Sequence, residues 1–435
     1  MTFRRIGNCA VAILAVSIAA CDLDLNDPNV PTEEEVFGSP DNMIRVGIGL
    51  QAEYSNQLAE PVYATGMVTN ELGANPATFE SFRILDTGSG PATNDLGASV
   101  GPWSGQYRVV RHANFVIERA PTSGLGPATT SGLIALGKLY KAMALGNLIQ
   151  IYEQIVLETV DSAPFVDRAT ALTAIITLLD EAAAQLAATP ASPEFNAQVL
   201  APGFNLPNTI HAMRARYNLI AGDLTAADNA AAAVDPGVFS EFRFADGDPN
   251  PFWNLAVNGG NSTSMRPKDA FRLAAEAGDE RIEYWVTPAD IAGFAEPLDN
   301  FNRYGSRTSS YPAYLPDEMT LIRAEVAARQ NRLLDALGLV NDVRTPCTSA
   351  LPEPVACLPA LLITDVPTQA AMLAQILVER RFELYLQHVR WSDLRRFGLT
   401  PKFMWMPIPV AECDRNAATP NALCQAEPAS IPHDS

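Results

Sequence analysis

Residues 209–234, TIHAMRARYNLIAGDLTAADNAAAAV, and residues 315–343, LPDEMTLIRAEVAARQNRLLDALGLVNDV, decide the fold. Each holds two apolar runs of helical period parted by a breaker: Gly222-Asp223 in the first stretch, Asn331 in the second. The two stretches superpose at a constant offset. Ala215 falls on Ala324, Leu224 on Leu333, Ala227 on Ala336 and Val234 on Val343. Small residues at fixed places allow two antiparallel helices to approach closely, so each stretch reads as a helical hairpin. The expected helices are 209–221 with 225–234, and 315–330 with 333–343. Chance pairing of Ala-rich helices would still leave an all-helical core.

Working outward, strong helical patterns also cover 132–153, 168–188 and 369–387. The expected fold class is therefore mainly α, an irregular right-handed array of tetratricopeptide-like helical hairpins with long loops and minor β structure. The long loops are 72–100, 236–265 and 287–312. Structureless loops of that length are uncommon in compact domains and either are functional or carry short strands. They hold much of the aromatic and amide content, which is where binding would be built.

The chain has 435 residues, 48% hydrophobic and 18% charged, so it can bury a large core and is not disordered. Its net charge of −19 argues against nucleic acid, which needs a surplus of Lys and Arg. Lys138, Lys141, Lys268 and Lys402 are its only lysines, and no basic patch follows.

The N-terminus reads as an export signal. Arg4 and Arg5 precede a short apolar run, 10–20, that is too short to span a bilayer comfortably. It ends Ile18-Ala19-Ala20-Cys21, which resembles the bacterial lipobox, where cleavage precedes a lipidated cysteine. The expected organisation is a signal peptide over 1–20, an acidic tether over 21–35 with Asp22, Asp24 and Asp27, and one helical domain over 36–435. An acidic stretch after the cysteine resembles a surface-export signal, although a solvated tether would look the same.

Of the six cysteines, Cys9 leaves with the signal and Cys21 would carry lipid. Cys347 with Cys357 and Cys413 with Cys424 each bracket a short loop, and an exported chain folds in an oxidising compartment. Two local disulfides are expected. His112, His211, His388 and His433 are dispersed, which speaks against zinc.

Several motifs, in order, resemble the SusD/RagB family. They are Val36-Phe37-Gly38 before the first helix; Trp103 through Tyr107 and Asn114 to Ile117; Lys138 to Tyr152; Asp279-Glu280-Arg281; and Leu321 to Glu325. The strongest is Glu379-Arg380-Arg381-Phe382-Glu383-Leu384, followed by Arg390-Trp391-Ser392-Asp393-Leu394-Arg395-Arg396 and then Pro407-Ile408-Pro409 with Glu412. Glu153 stands where the family commonly has glycine, the chain is short for the family, and its usual C-terminal finish is not recognisable. The resemblance implies an outer-membrane, lipid-anchored binding protein facing the cell exterior. It further implies capture of nutrient, an oligosaccharide above all, and delivery to a SusC-like TonB-dependent transporter. A helical scaffold lipoprotein that binds other proteins is the rival, and a hydrolase the third reading.

Catalytic chemistry is thin. No H-E-x-x-H, G-x-S-x-G, P-loop or G-x-G-x-x-G occurs, and neither cofactor nor metal is expected. Asp246-Gly247-Asp248 resembles the start of a calcium loop, but Pro251 stands where glycine is needed, so a turn is expected. Arg380 shares a helical face with Ile376, Leu377 and Leu384, and a buried arginine demands carboxylates. Glu325, Glu379, Arg380, Arg381, Glu383 and Asp393 are therefore expected to form structural ion pairs. For ligand binding, sugars offer C–H faces to aromatic rings and hydroxyls to amides and acids. Trp103, Trp253, Trp285, Tyr304 and Tyr311 are the candidate platform, with Asn70, Glu71, Arg83, Asn254 and Asn302 as polar partners. Packing of each ring on the helices is an equal alternative. Trp391 and Trp405 read as packing residues.

Overall fold

The computed structural model describes residues 39–75, 78–256, 265–291 and 296–430. The signal peptide, Cys21 and the acidic tether lie outside the described residues, as does the Val36-Phe37-Gly38 motif.

The chain is mainly helical. α1 is Pro40–Asn56, α2 Ala59–Val68, α3 Glu80–Thr87, α4 Gly97–Arg119, α5 Pro127–Ile151 and α6 Arg168–Ala188. α7 is Pro193–Gln198, α8 Leu206–Ala221, α9 Leu224–Ala232, α10 Pro251–Ala256, α11 Asp269–Leu273 and α12 Arg281–Trp285. α13 is Pro316–Arg329, α14 Leu333–Arg344, α15 Gln369–Glu383, α16 Arg390–Arg396 and α17 Val410–Arg415. Side-chain caps set several starts: Ser39 accepts from the Asn42 N–H, Asp167 from Thr170, Asn205 from Asn208 and Thr368 from Ala371.

α5 is apolar all round and buried all round, the signature of a central helix. α4 and α6 pack along it, and its glycines mark the closest approaches. A Cβ at Gly146 would sit 2.0 Å from the Tyr217 hydroxyl, and one at Gly132 would sit 2.7 Å from the Phe195 ring. The two sequence-aligned hairpins form as expected. α8 turns into α9 at Gly222, with φ 88°, and α13 turns into α14 through Asn331, with φ 59°. Ala215, Ala227, Ala324 and Ala336 are fully buried, and α9 packs against α13, so the hairpins stack on one another.

Two expectations need correction, while the short strands expected in the long loops are present. Residues 72–100 are not all loop, because they contain α3 and the start of α4. The last long helix ends at Glu383 and not at Gln387, because Leu386 and His388 take left-handed backbone, φ 56° and 58°. The loops 236–265 and 287–312 carry short strands: β4 Ser240–Phe242, β5 Met265–Pro267, β6 Val286–Ile291, β7 Leu298–Phe301 and β8 Tyr311–Tyr314, while β1 is Leu72–Ala74, β2 Ile155–Val156 and β3 Phe165–Val166. The candidate calcium segment is a tight turn closed between Ala245 and Asp248. Both disulfides are present, Cys347–Cys357 and Cys413–Cys424.

Candidate functional site

Short strands tie the long loops to one another. β1 pairs antiparallel with β5, Leu72 opposite Pro267 and Ala74 opposite Met265. The chain leaving β5 bridges β7 through Lys268 and Leu298, and β7 pairs with β6. Gly73 makes this possible, since a Cβ there would lie 2.6 Å from Leu298. Lys268, only 4% exposed, pins the junction electrostatically: its ammonium meets Asp86 of α3 at 2.8 Å and donates to the Asn70 amide oxygen at 3.3 Å and to Glu296. Lys402 reaches the same Asp86 at 3.6 Å and donates to the Met67 carbonyl at 2.8 Å. Burial, then the neighbouring Lys268, pushes the Lys402 ammonium down to about 7. The loops thus rest on a buried, charge-paired floor.

The rings of the expected platform divide between surface and core. Trp253 is half-buried with the Arg307 guanidinium 5.3 Å above it, and Asn254 beside it is exposed. Arg83 is exposed on α3, and Asn302 is exposed while donating to the Glu283 carbonyl. Asn70 is half-buried at φ 64°. The other rings are core. Tyr304 and Tyr311 stack on one another and on Phe252, with centroids 4.9 to 5.6 Å apart. The Tyr311 hydroxyl donates to the Leu386 carbonyl. The Trp285 indole donates to the Phe382 carbonyl at 2.8 Å, and Trp103 packs among Tyr107, Tyr152 and Phe165. Buried rings with satisfied polar ends have no face left for a ligand, so Trp103, Trp285, Tyr304 and Tyr311 do not form the expected platform. Glu71 is buried too, its oxygens accepting from the Leu386 N–H and the Thr69 hydroxyl, and burial pushes its carboxyl up to about 7. The ring that the sequence reading passed over is Phe79. It is 74% exposed, edge-to-face with Phe82 at 6.3 Å, at the start of the helix that carries Arg83. The signal was available: an apolar ring directly before a short helix, in a loop otherwise polar.

Several cavities adjoin the helices, of which two bear on the site. One, of about 220 Å³, lies between the end of α2, the outer face of α15, α16 and residues 399–402, with apolar walls and the side chains of Arg381 and Arg390. A second, about 620 Å³, runs along residues 186–207 beside Asn196 and Asn205.

The charged C-terminal motifs form a buried network. Arg380 grips Asp393 with two hydrogen bonds, 2.8 and 3.0 Å, both side chains at most 3% exposed. Arg396 bridges Asp393 to Glu325. Arg281 meets Asp279 at 2.7 Å, Glu379 at 2.8 Å and Glu383 at 3.8 Å, and Arg344 also holds Glu379. Burial would raise Asp393, but Arg380 and Arg396 outweigh it and hold the carboxyl below its ordinary range. The carboxylates of the strongest motif are fully buried: Glu379 is held by Arg281 and Arg344, while Glu383 stands 3.8 Å from Arg281 with burial pushing its carboxyl well up, and neither opens to a substrate. Arg381 departs from the expected set. One position on from Arg380 turns it about 100° round the helix, out of the network, and among the described residues it forms no ion pair.

Residues 300–429 match the SusD family model. No curated protein matches the sequence. Solved structures share the fold over most of the chain. A SusD superfamily protein from Bacteroides thetaiotaomicron is 16% identical with a TM-score of 0.63, covering 83% of this chain and 91% of its own. A SusD-like carbohydrate binding protein from Bacteroides vulgatus is 17% identical with a TM-score of 0.65, covering 84% and 85%. NanU of B. fragilis is 13% identical with a TM-score of 0.66, covering 94% of this chain and all of its own, 100%.

Proposed function

We propose that this chain belongs to the SusD/RagB family and is a non-catalytic binding protein that captures carbohydrate at the loop face and hands it to a transporter in the outer membrane. The observation that carries the reading is the strand-tied loop face with Phe79 exposed on it. Its exposed ring offers an apolar face that a sugar's C–H face would cover well. Arg83 and Asn254 supply hydrogen-bonding partners for hydroxyls, and Trp253 is the second ring. The likeness to a carbohydrate binding protein from B. vulgatus supports the same ligand class. Burial of Glu379 and Glu383 in ion pairs supports binding in place of hydrolysis.

Cys21 in its lipobox context is the proposed anchor, holding a single domain from residue 36 onward at the exterior face of the outer membrane behind the acidic tether. Tethering raises the effective concentration of the chain at a SusC-like TonB-dependent barrel, so a weak lid-like contact suffices. Affinity purification from gently solubilised membranes, with Cys21→Ser as control, tests this. Near-stoichiometric recovery of a large barrel protein with the wild type, lost together with membrane association in the variant, is the expected result. Recovery of periplasmic assembly factors alone favours the scaffold reading.

A further inference from the structure

The cavity beside α15 has a composition that carbohydrate binding does not use. Its walls are the apolar side chains of Leu377, Val378, Leu394 and Leu399, and Val378 is 45% exposed at its mouth. Arg390 and Arg381 line it as well. Arg390 is only 7% exposed, and its Nη1 is buried with no hydrogen-bond partner. Arg381 lines the same cavity and rests over the Phe382 ring at 5.7 Å. Among the described residues neither side chain forms an ion pair or donates a hydrogen bond.

The acids around them are already engaged. Glu71 gives its oxygens to Leu386 and Thr69, Asp393 is held by Arg380 and Arg396, and Asp86 by Lys268 and Lys402. Lys402 lines the far side of the cavity and adds a third cationic group when protonated. Burial, then the adjacent Arg381, pulls the Arg390 guanidinium down to about 10, and the opposing pull of Glu71 and Asp393 does not outweigh them. A buried arginine without a hydrogen-bonding counter-ion is costly, and a ligand carboxylate would relieve that cost.

We propose that this cavity is a binding site for a small monocarboxylate with an apolar body, the carboxylate taken by Arg390 and Arg381 and the chain covered by the leucine and valine walls. A guanidinium matches a carboxylate with two parallel hydrogen bonds, which supplies the missing partner. A sugar fits poorly: Thr69, Asn70 and Thr400 also line the cavity, but its mainly apolar walls would leave most hydroxyls without partners. A compact inorganic anion would leave the walls wet. The volume of about 220 Å³ lies below the ~300–1,000 Å³ of drug-sized sites, which sets the ligand at a short chain.

The test is calorimetric titration of the full chain with octanoate, octan-1-ol, octylammonium and inorganic phosphate. Octanoate should bind saturably at one site, at least about tenfold more tightly than the neutral and cationic analogues, and phosphate should not displace it. Arg390→Gln and Arg381→Gln should each weaken octanoate roughly tenfold or more. Should either fail to fold, Ala374→Leu keeps both arginines and fills the rim of the cavity, and it should abolish octanoate binding while circular dichroism stays unchanged. Octan-1-ol binding as tightly as octanoate, displacement by phosphate, full binding by Ala374→Leu, or no saturable binding to the folded wild type each overturns the proposal. Glycan binding at the loop face is measured separately and does not depend on the outcome.

Discussion

Replacing Arg380 with methionine separates structure from binding in the strongest sequence motif. Methionine keeps much of the apolar stem and removes the fork that holds Asp393 at 2.8 and 3.0 Å. Removing one partner of a buried pair costs about 3–5 kcal/mol, because the remaining charge stays desolvated. Here Asp393 keeps its 2.7 Å contact with Arg396, so the loss should fall near about 3 kcal/mol, the lower end of that range. That is a large part of the ~5–15 kcal/mol by which a typical protein is stable. Urea unfolding followed by circular dichroism reads the loss as a lower midpoint at unchanged slope. Asp393→Leu should cost at least as much, since it strands Arg380 and Arg396 together. The double variant should recover a substantial part of the summed loss, a coupling that the double-mutant cycle measures directly. Ligand affinity of the folded Arg380→Met chain should be unchanged. A variant within about 1 kcal/mol of wild type, or one fully stable that no longer binds ligand, refutes the structural role.

Three further outcomes follow from burial and close packing. Glu71 has a carboxyl raised from 4.5 to about 7, so the folded state holds its proton more tightly than the unfolded chain, and stability is lost as pH rises through about 7. Glu71→Gln should thus stabilise by up to about 3 kcal/mol above pH 7, the gain shrinking as pH falls toward 4.5; urea midpoints at several pH values decide it, and a gain independent of pH contradicts the reasoning. Gly146→Ala should destabilise by about 1–3 kcal/mol because its Cβ would strike Tyr217, whereas relief of glycine's helix penalty alone would stabilise. The disulfides close sequence separations of 10 and 11 residues, worth about 3 kcal/mol each by loop entropy, so non-reducing peptide maps should show both pairs and reduction should lower the midpoint; four alkylatable thiols in native protein would contradict this.

The helical hairpins were legible because their signals are local. Gly222 and Asn331 take the left-handed backbone that ends a helix, and the alanines recur at helical spacing. The start of α4 was hidden because Gly97, Gly101 and Pro102 depress helix propensity there. Gly101, and Gly105 further along α4, serve contacts: a Cβ at Gly101 would crowd Glu60, and one at Gly105 would crowd Gln57, so the helix lies close against its neighbours. The end of α15 was misplaced for a related reason. Leu386 and His388 adopt left-handed backbone although neither residue type announces it, held by the Tyr311 hydroxyl on the Leu386 carbonyl and by the 2.6 Å bond between His388 and Thr65. Ion-pair residues could be named from composition, since buried arginines need acids, but their pairing could not. Arg380 chose Asp393, while Glu325 went to Arg396 and Glu383 faces Arg281. The binding face was least legible. Trp285, at the end of the short helix α12, is locked in the core by Phe382, whereas Phe79, directly before the short helix α3, is left in water.

The central claim is that carbohydrate binds where Phe79 and Trp253 stand on the loop face. A glycan array probed with the soluble chain identifies a ligand, and calorimetry then compares wild type with Phe79→Ala, Trp253→Ala and Trp285→Phe. The account expects Phe79→Ala and Trp253→Ala each to weaken that glycan by about tenfold or more at unchanged unfolding midpoint, as loss of a stacked ring does. It expects Trp285→Phe to lower stability and leave affinity intact. Full glycan affinity in the Phe79→Ala, Trp253→Ala double variant would contradict it.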